Sequence, residues 1–165
     1  MKVNYSYLPR QFANIDDLLE NIKKFVKTGD FTLGKPLEDF EKKFARLMGS
    51  KFAIGVNSGT DAIKLSLKAF GIGRGDEVIT AANTFVATVG AINELGAKPV
   101  FVDCDDTFCM NVDLVEKAIT NKTKAIVPVH FTGYMANMKK INKIAKKNNL
   151  IVIEDACQSI LASQD

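Results

Sequence analysis

Five short apolar segments that alternate with stretches of helical periodicity constrain the fold of this chain more than any other feature. The segments begin 22 to 26 residues apart, which leaves room for one helix between each pair. Strands joined in this way run parallel, and helices cover both faces of a parallel sheet. The pattern therefore predicts an α/β fold with three layers, α/β/α, and a mostly parallel sheet. The predicted strands are residues 52–56, 77–80, 99–103, 124–130 and 150–155.

Apolar residues at helical spacing fill the segments between these strands. Asp113 followed by Glu116 predicts a capping box at the start of one helix. The basic run 139–147 has apolar residues interleaved at helical spacing, which favours a solvated helix face over a nucleic-acid-binding patch. We predict helices at residues 62–70, 85–95, 113–119 and 137–147.

Two further helices precede the first predicted strand. Asn14 is expected to cap the first of them, and Pro36 and Gly49 mark the start and the end of the second. We therefore expect an N-terminal helical segment at residues 1–50 and an α/β part at residues 51–165.

Composition and charge exclude several classes of protein. Of the 165 residues, 25% are charged and 47% are apolar, and the net charge of +3 is too small to predict binding to nucleic acid or to an anionic membrane. The longest apolar runs are far shorter than the roughly 18–20 residues of a membrane span, and the N-terminus lacks a signal-peptide core. Three cysteines without a CxxC pair and a single histidine predict no disulfide scaffold and no metal site. We expect a cytoplasmic protein without a nucleic-acid, membrane or metal partner.

The carboxyl ends of the predicted strands hold the candidate site residues, because ligands of parallel sheets bind there. The run Ser58-Gly59-Thr60-Asp61 follows a predicted strand and opens a helix. Free N–H groups and the helix dipole at such a position suit an anion such as phosphate. The alternative is an ordinary capped turn without a ligand.

Two other strand ends carry groups that suit a flat, basic ring. Asp155 is a carboxylate at a buried strand end, which makes it a candidate to hold a protonated ring nitrogen, and Gln158 is placed to contact the same ligand. Phe85 is a candidate to stack on the ring. The alternatives are that Asp155 caps a following helix and that Phe85 is a core residue. A phosphate cradle, an aromatic platform and a carboxylate together predict pyridoxal 5′-phosphate (PLP).

Three other features predict no site of their own. The glycines of GIGRGDE, residues 71–77, follow a helix and precede a strand, which is the opposite order to a dinucleotide-binding fingerprint. His130 has no catalytic partner nearby in the sequence, which favours a structural histidine. Cys157 has no activating base that would make it a nucleophile.

Taken together, these motifs resemble the DegT/DnrJ/EryC1/StrS family of PLP-dependent sugar aminotransferases. The segments that carry the resemblance are SGTDA, TFVAT, PVHFTG and EDACQS. The similarity is greatest to members that aminate the 3-keto group of dTDP-linked 6-deoxyhexoses. The resemblance implies that Gly59, Thr60 and Asp61 bind the cofactor phosphate, that Phe85 stacks on the pyridine ring, that Asp155 pairs with the ring nitrogen and that Gln158 contacts the 3′-oxygen.

The resemblance also implies an activity and partners. Family members are fold-type I homodimers that take an amino group from glutamate and deliver it to a nucleotide-linked keto sugar, for polysaccharide or aminosugar biosynthesis. In the family, the Schiff-base lysine, the rest of the large domain and a small domain follow the EDACQS segment. Residues 51–165 are therefore expected to form a partial PLP-binding large domain, with no catalytic residue of its own and no activity alone.

Two alternatives stand beside the aminotransferase. Some members of the family dehydrate the sugar and have a histidine in place of the lysine. A truncated chain can also serve as a non-catalytic binding or regulatory module. Tyr134 after Gly133, and the residues that follow Ser159, depart from the usual family pattern, which leaves the identity of the sugar undetermined.

Overall fold

The structure, a computed structural model, describes residues 6–164. The chain divides into two compact units, Met1–Gly55 and Val56–Asp165. None of the helices in the described part of the chain is both long enough and apolar enough to cross a membrane.

The first unit is helical. It contains α1 (Leu8–Gln11), α2 (Asp16–Thr28) and α3 (Lys35–Leu47). Helix α3 begins with Pro36 in its first turn and is followed by Gly49 at φ 63°, as the sequence predicts. The prediction that Asn14 caps α2 is wrong: Ile15 holds the cap position without a side-chain hydrogen bond, and Asp16 and Asp17 in the first turn interact with the helix dipole instead.

The predicted strand at residues 52–56 is absent from the structure. Phe52 and Ile54 are 71% and 81% exposed, and these residues have no strand partner in the described part of the chain. The N–H of Gly55 donates to Oε1 of Glu41 at 2.7 Å instead of joining a ladder. A short apolar run without a hydrogen-bonded neighbour does not form a strand, and apolar sequence alone does not reveal that neighbour.

The second unit is built on a four-stranded, all-parallel sheet with the strand order β2-β1-β3-β4. Four of the five predicted strands are therefore confirmed. The strands are β1 (Glu77–Ala81), β2 (Lys98–Val102), β3 (Thr123–Val127) and β4 (Ile151–Val152). The helices are α4 (Gly59–Ala69), α5 (Val86–Glu94), α6 (Val112–Ala118) and α7 (Met138–Asn148), and a single 3₁₀ turn covers Phe131–Gly133.

Side chains of alternate residues in β1 enter two separate apolar clusters, one on each face of the sheet. Ile79 and Ala81 pack with residues of α6 and α7, whereas Val78 packs with residues of α4 and α5. Ile126 and Val127 of β3 divide between the clusters in the same way. Since successive strand residues point to opposite faces, helices cover both faces. The predicted three-layer α/β/α fold is confirmed.

The chain leaves the centre of the sheet in two opposite directions. From β1 it passes through α5 to β2 on one side, and from β3 it passes through α7 to β4 on the other. Helices α5 and α7 lie on opposite faces. Neighbouring strands whose connections diverge in this way open a crevice at their carboxyl ends, and this crevice is where such folds bind ligands.

Some predicted boundaries differ from the structure. Strand β4 is only two residues long, and Asp155 contributes an isolated parallel bridge to Val129. Helix α4 begins three residues earlier than predicted, because Ser58 caps it. The capping box at Asp113 is wrong, because the side chain of Asn111 accepts the hydrogen bond from the Asp113 N–H at 3.1 Å and starts α6 one residue earlier.

A buried carboxylate, that of Glu77, lies at the amino-terminal edge of the sheet, opposite the crevice. Glu77 accepts hydrogen bonds from the hydroxyl of Thr120 at 2.6 Å and from Nζ of Lys98 at 3.3 Å. The Thr120 hydroxyl, and after it the Lys98 ammonium, hold the pKa of Glu77 below its ordinary value, although burial opposes this shift.

We expect Glu77→Gln to lower the thermal midpoint of unfolding at pH 7. A carboxylate whose pKa is lowered by folding stabilises the protein above the carboxyl pKa of the unfolded chain, and this contribution is lost as the pH falls through the lowered pKa. The difference in Tm between Glu77→Gln and the wild type should therefore shrink with falling pH. Glu116→Gln, at an exposed ion pair with Lys147, is the control and should leave Tm nearly unchanged. A constant difference in Tm between pH 7 and pH 3 would contradict the role of the Glu77 charge.

Candidate functional site

A cavity of about 300 Å³ opens at the carboxyl edge of the sheet, at the crevice between the ends of β1 and β3. Its wall combines the start of α4, the start of α5, the segment after β3 and the turn after β4. Five of the six predicted site residues line it, and Asp61 does not. The lining residues are Gly59, Thr60, Ile63, Phe85, Ala87, Val129, His130, Phe131, Asp155, Cys157 and Gln158.

The start of α4 presents unpaired N–H donors to this cavity. Ser58 caps the helix through Oγ, which accepts the N–H of Asp61 at 3.1 Å. The N–H groups of Gly59 and Thr60 precede the first helical hydrogen bond and have no acceptor among the described residues. A Cβ built on Gly59 would lie 3.5 Å from Sγ of Cys157 and would narrow the cavity without a clash. The helix start therefore suits an anion.

Asp155 is a buried carboxylate that has no cationic partner in the described part of the chain. It is 8% exposed. Its Oδ2 accepts the hydroxyl of Thr88 at 2.9 Å, and its Oδ1 accepts the N–H of Cys157 at 3.3 Å. Its backbone N–H donates to the oxygen of Pro128, and its backbone oxygen accepts the N–H of His130. Because turns and not a helix follow this residue, the alternative of a helix cap is wrong. A buried anion in such a place favours a cationic ligand.

Phe85 is the cap residue of α5 and lies at the mouth of the cavity. Its backbone is extended, with φ −65° and ψ 143°, and the residue is 72% exposed. The alternative of a core phenylalanine is therefore wrong. An exposed ring beside a cavity with an apolar wall is available for stacking on a flat ligand.

Gln158 reaches the cavity with its amide already oriented. Its Oε1 accepts the N–H of Thr132 at 2.8 Å, which leaves the amide NH₂ as the free donor. Thr132 adopts φ 52°, a left-handed conformation that is uncommon for a β-branched residue. The residue whose N–H holds the Gln158 amide thus has a left-handed backbone conformation.

Asp61 is turned away to an ion pair on α4. Its carboxylate lies 2.9 Å from Nζ of Lys64, which also lies 2.9 Å from Glu94. The Lys64 ammonium lowers the pKa of Asp61. Both groups of Asp61 therefore have partners within the chain: the backbone N–H donates to Ser58 Oγ, and the carboxylate is paired with Lys64.

His130 is a buried histidine with both ring nitrogens paired. Its Nδ1 accepts the N–H of Ala136 at 3.3 Å, so the proton of the neutral ring lies on Nε2, which donates to Glu154 at 2.9 Å. The main-chain oxygen of His130 accepts the Ser159 hydroxyl at 2.8 Å. His130 shapes the cavity wall, and its pairing agrees with the structural role that the sequence favours.

Sequence reasoning missed Thr88, the hydroxyl that bonds to Asp155. The signal was present, since Thr88 is one helical turn after Thr84 in the TFVAT segment that the sequence analysis singled out for Phe85. The apolar wall at Ile63, Val129 and Phe131 was also missed, because nothing in the sequence separates it from core residues.

The fold and this site define a class. The second unit has the fold of fold-type I PLP-dependent aminotransferases. Among solved structures, that of NtdA from Bacillus subtilis with bound cofactor PMP (pyridoxamine 5′-phosphate) superposes with a TM-score of 0.92 at 42% identity. The match covers 96% of this chain and 37% of that chain.

Within that class, the chain belongs to the DegT/DnrJ/EryC1/StrS aminotransferase family, which it matches over residues 13–165. It is 43% identical over 162 residues to a dTDP-3-amino-3,4,6-trideoxy-alpha-D-glucose transaminase of Micromonospora megalomicea, covering 98% of this chain and 43% of that protein. It is also 43% identical over 162 residues to the 3-oxo-glucose-6-phosphate:glutamate aminotransferase of Bacillus subtilis, covering 96% and 37%. The chain thus spans about two-fifths of the length of these relatives.

The Asp155 carboxylate affects the pKa of the neighbouring Cys157 thiol. Hydrogen bonding to the Asp155 carboxylate, followed by burial, raises the pKa of Cys157. The thiol is therefore a poor nucleophile, in keeping with its lack of an activating base.

We expect Asp155→Asn to speed the alkylation of Cys157 by iodoacetamide at pH 8 by roughly three- to tenfold, because removing the neighbouring anion lowers the thiol pKa. Mass spectrometry of tryptic peptides gives the rate for each cysteine. Cys104, partly buried and outside the cavity lining, is the internal control and should react at the same rate in both proteins. Equal Cys157 rates would show that the Asp155 charge does not reach the thiol.

Proposed function

We propose that this chain forms the PLP-binding part of an aminotransferase that transfers an amino group from glutamate to a nucleotide-linked keto-deoxysugar, with dTDP as the nucleotide. The observation that carries the proposal is the buried Asp155 carboxylate, which faces a cavity with no cationic partner in the described part of the chain. A protonated pyridine nitrogen supplies the missing positive charge. The Micromonospora relative, a dTDP-sugar transaminase, supports the dTDP-linked sugar, and the Bacillus relative, a glutamate aminotransferase, supports the glutamate donor.

The residues around the cavity fit the parts of PLP. The N–H groups of Gly59 and Thr60 suit its phosphate, and the exposed ring of Phe85 suits the face of its pyridine. The free amide NH₂ of Gln158 suits the 3′-oxygen. Asp61 offers no free group to the phosphate, because its N–H donates to Ser58 Oγ and its carboxylate is paired with Lys64.

The chain's own residues bind and orient the cofactor. When bound, PLP supplies an aldehyde that reacts with amines and a ring that accepts electrons from the bond beside the amine nitrogen. The Asp155 carboxylate would hold a proton on the ring nitrogen, and that proton would make the ring a better electron acceptor. The apolar wall at Ile63, Val129 and Phe131 limits water beside the ring.

The covalent step is assigned to a residue outside the described cavity. No lysine is among the residues that line the cavity in the described part of the chain. We propose that the Schiff-base lysine belongs to the remaining part of a longer protein, and that residues 51–165 are a partial large domain of a homodimer. A histidine at the lysine position would instead support a dehydratase of the same family.

Binding of PMP tests the cofactor assignment, because PMP lacks the aldehyde and its binding needs no lysine. We expect the wild-type chain to bind PMP in isothermal titration at pH 7.5, and Asp155→Ala to weaken binding by about tenfold or more, the loss expected for a charge-assisted hydrogen bond. Asp106→Ala, at an exposed carboxylate, is the matched control and should bind like the wild type. Absence of PMP binding by the wild type, or an unchanged affinity in Asp155→Ala, would overturn the assignment.

We expect no transamination by the chain alone. Purified chain mixed with PLP, glutamate and a dTDP-linked 3-keto-6-deoxysugar should give no aminosugar above a protein-free blank, measured by mass spectrometry, because no lysine of the described residues lines the cavity. Steady aminosugar production would contradict the assignment of the covalent step to a residue elsewhere.

A further inference from the structure

Thr88 is a fully buried threonine in the first turn of α5, and its hydroxyl is the partner of Asp155 Oδ2 at 2.9 Å. An ionised carboxylate only accepts hydrogen bonds, so Thr88 donates its one proton to Asp155. The second oxygen, Oδ1, is held by the N–H of Cys157. Both carboxylate oxygens are therefore fixed, and with them the plane of the group.

A second hydroxyl sets the direction of the first. Oγ1 of Thr84 lies 2.9 Å from Oγ1 of Thr88. Because the Thr88 proton is committed to Asp155, Thr84 must donate and Thr88 must accept. The protons run in one direction, from Thr84 to Thr88 to Asp155, and each bond polarises the next toward the carboxylate.

We propose that Thr88 is a positioning residue, which, supported by Thr84, holds the Asp155 carboxylate in the orientation that meets the cofactor's ring nitrogen. The inference rests on the proposed function for its ligand. The link between Thr88 and Asp155 is a contact within the chain and does not depend on the ligand.

The chemistry of the position favours this role over simple packing. Valine has nearly the same shape as threonine, and in a buried place without a polar partner the hydroxyl would cost stability. Thr88 does not line the cavity, so it acts on the ligand through Asp155 and not by contact.

Thr88→Val and Thr88→Ser separate the hydroxyl from the shape of the residue. We expect Thr88→Val to weaken PMP binding roughly three- to tenfold, because the carboxylate loses one of its two donors. Thr88→Ser keeps the hydroxyl and should bind PMP within about twofold of the wild type. Thr84→Val should weaken binding less than Thr88→Val, since it removes only the supporting bond.

Thr80→Val is the matched control for burial. Thr80 is also fully buried and donates its hydroxyl to the oxygen of Val127 at 2.9 Å, but it does not line the cavity. This change removes an equivalent buried hydrogen bond, so a general structural effect would appear in both variants. We expect Thr80→Val to lower Tm and to leave PMP affinity unchanged.

A readout without cofactor tests the link itself. When Oδ2 loses its donor, only the 3.3 Å bond from the Cys157 N–H still holds the carboxylate. We expect the carboxylate to turn into the cavity and away from the Cys157 thiol, which lowers the thiol pKa. The pH profile of Cys157 alkylation should therefore move to lower pH in Thr88→Val and stay at the wild-type position in Thr88→Ser and Thr80→Val. Circular dichroism confirms that each variant is folded. If Thr88→Val does not fold, Thr84→Val is used for both measurements.

The outcomes distinguish the two proposals. A wild type that does not bind PMP overturns the proposed function, while the alkylation profile still decides whether Thr88 positions Asp155. A wild type that binds PMP, with unchanged affinity and an unchanged alkylation profile in Thr88→Val, overturns the positioning role. A loss of affinity in Thr88→Ser equal to that in Thr88→Val overturns it as well.

Discussion

The parallel pairing of β1 with β3 is the constraint on which the site depends. These two strands are neighbours in the sheet although β2 lies between them in the chain, and their connections leave toward opposite edges. The start of α5 and the segment after β3 are therefore brought face to face without filling the space between them. A sheet wound in one direction would place one connection over the next strand and close that space.

The two edges of the sheet each hold one buried carboxylate, and the two carboxylates are paired differently. At the amino edge, the buried Glu77 is satisfied by Thr120 and Lys98. At the carboxyl edge, the buried Asp155 has two neutral donors and no cation in the described part of the chain. The same kind of group is thus paired with a cation at one edge and has only neutral donors at the other, so its desolvation is offset by a charge inside the described part of the chain only at the first.

Periodicity predicted most of the fold, because burial on both faces of a parallel sheet imposes short apolar strands on the sequence. It failed at residues 52–56, where an apolar run has no strand neighbour among the described residues, and at the caps of α2 and α6. Helix α2 starts after Ile15 without a side-chain cap, and α6 starts where Asn111 accepts the N–H of Asp113. In the site, groups whose chemistry is visible in the residue type, such as Asp155 and Phe85, were found. Thr88 was not, because its importance comes from a contact across 67 residues of chain.

The exposed ring of Phe85 and the apolar wall behind it bear on the stability and the self-association of the chain. An apolar patch of this kind at an open cavity favours self-association until something covers it. A ligand that binds only the folded chain covers the patch and also shifts the folding equilibrium in proportion to its concentration. Supply of the cofactor would then govern how much of this chain escapes degradation, apart from any catalysis.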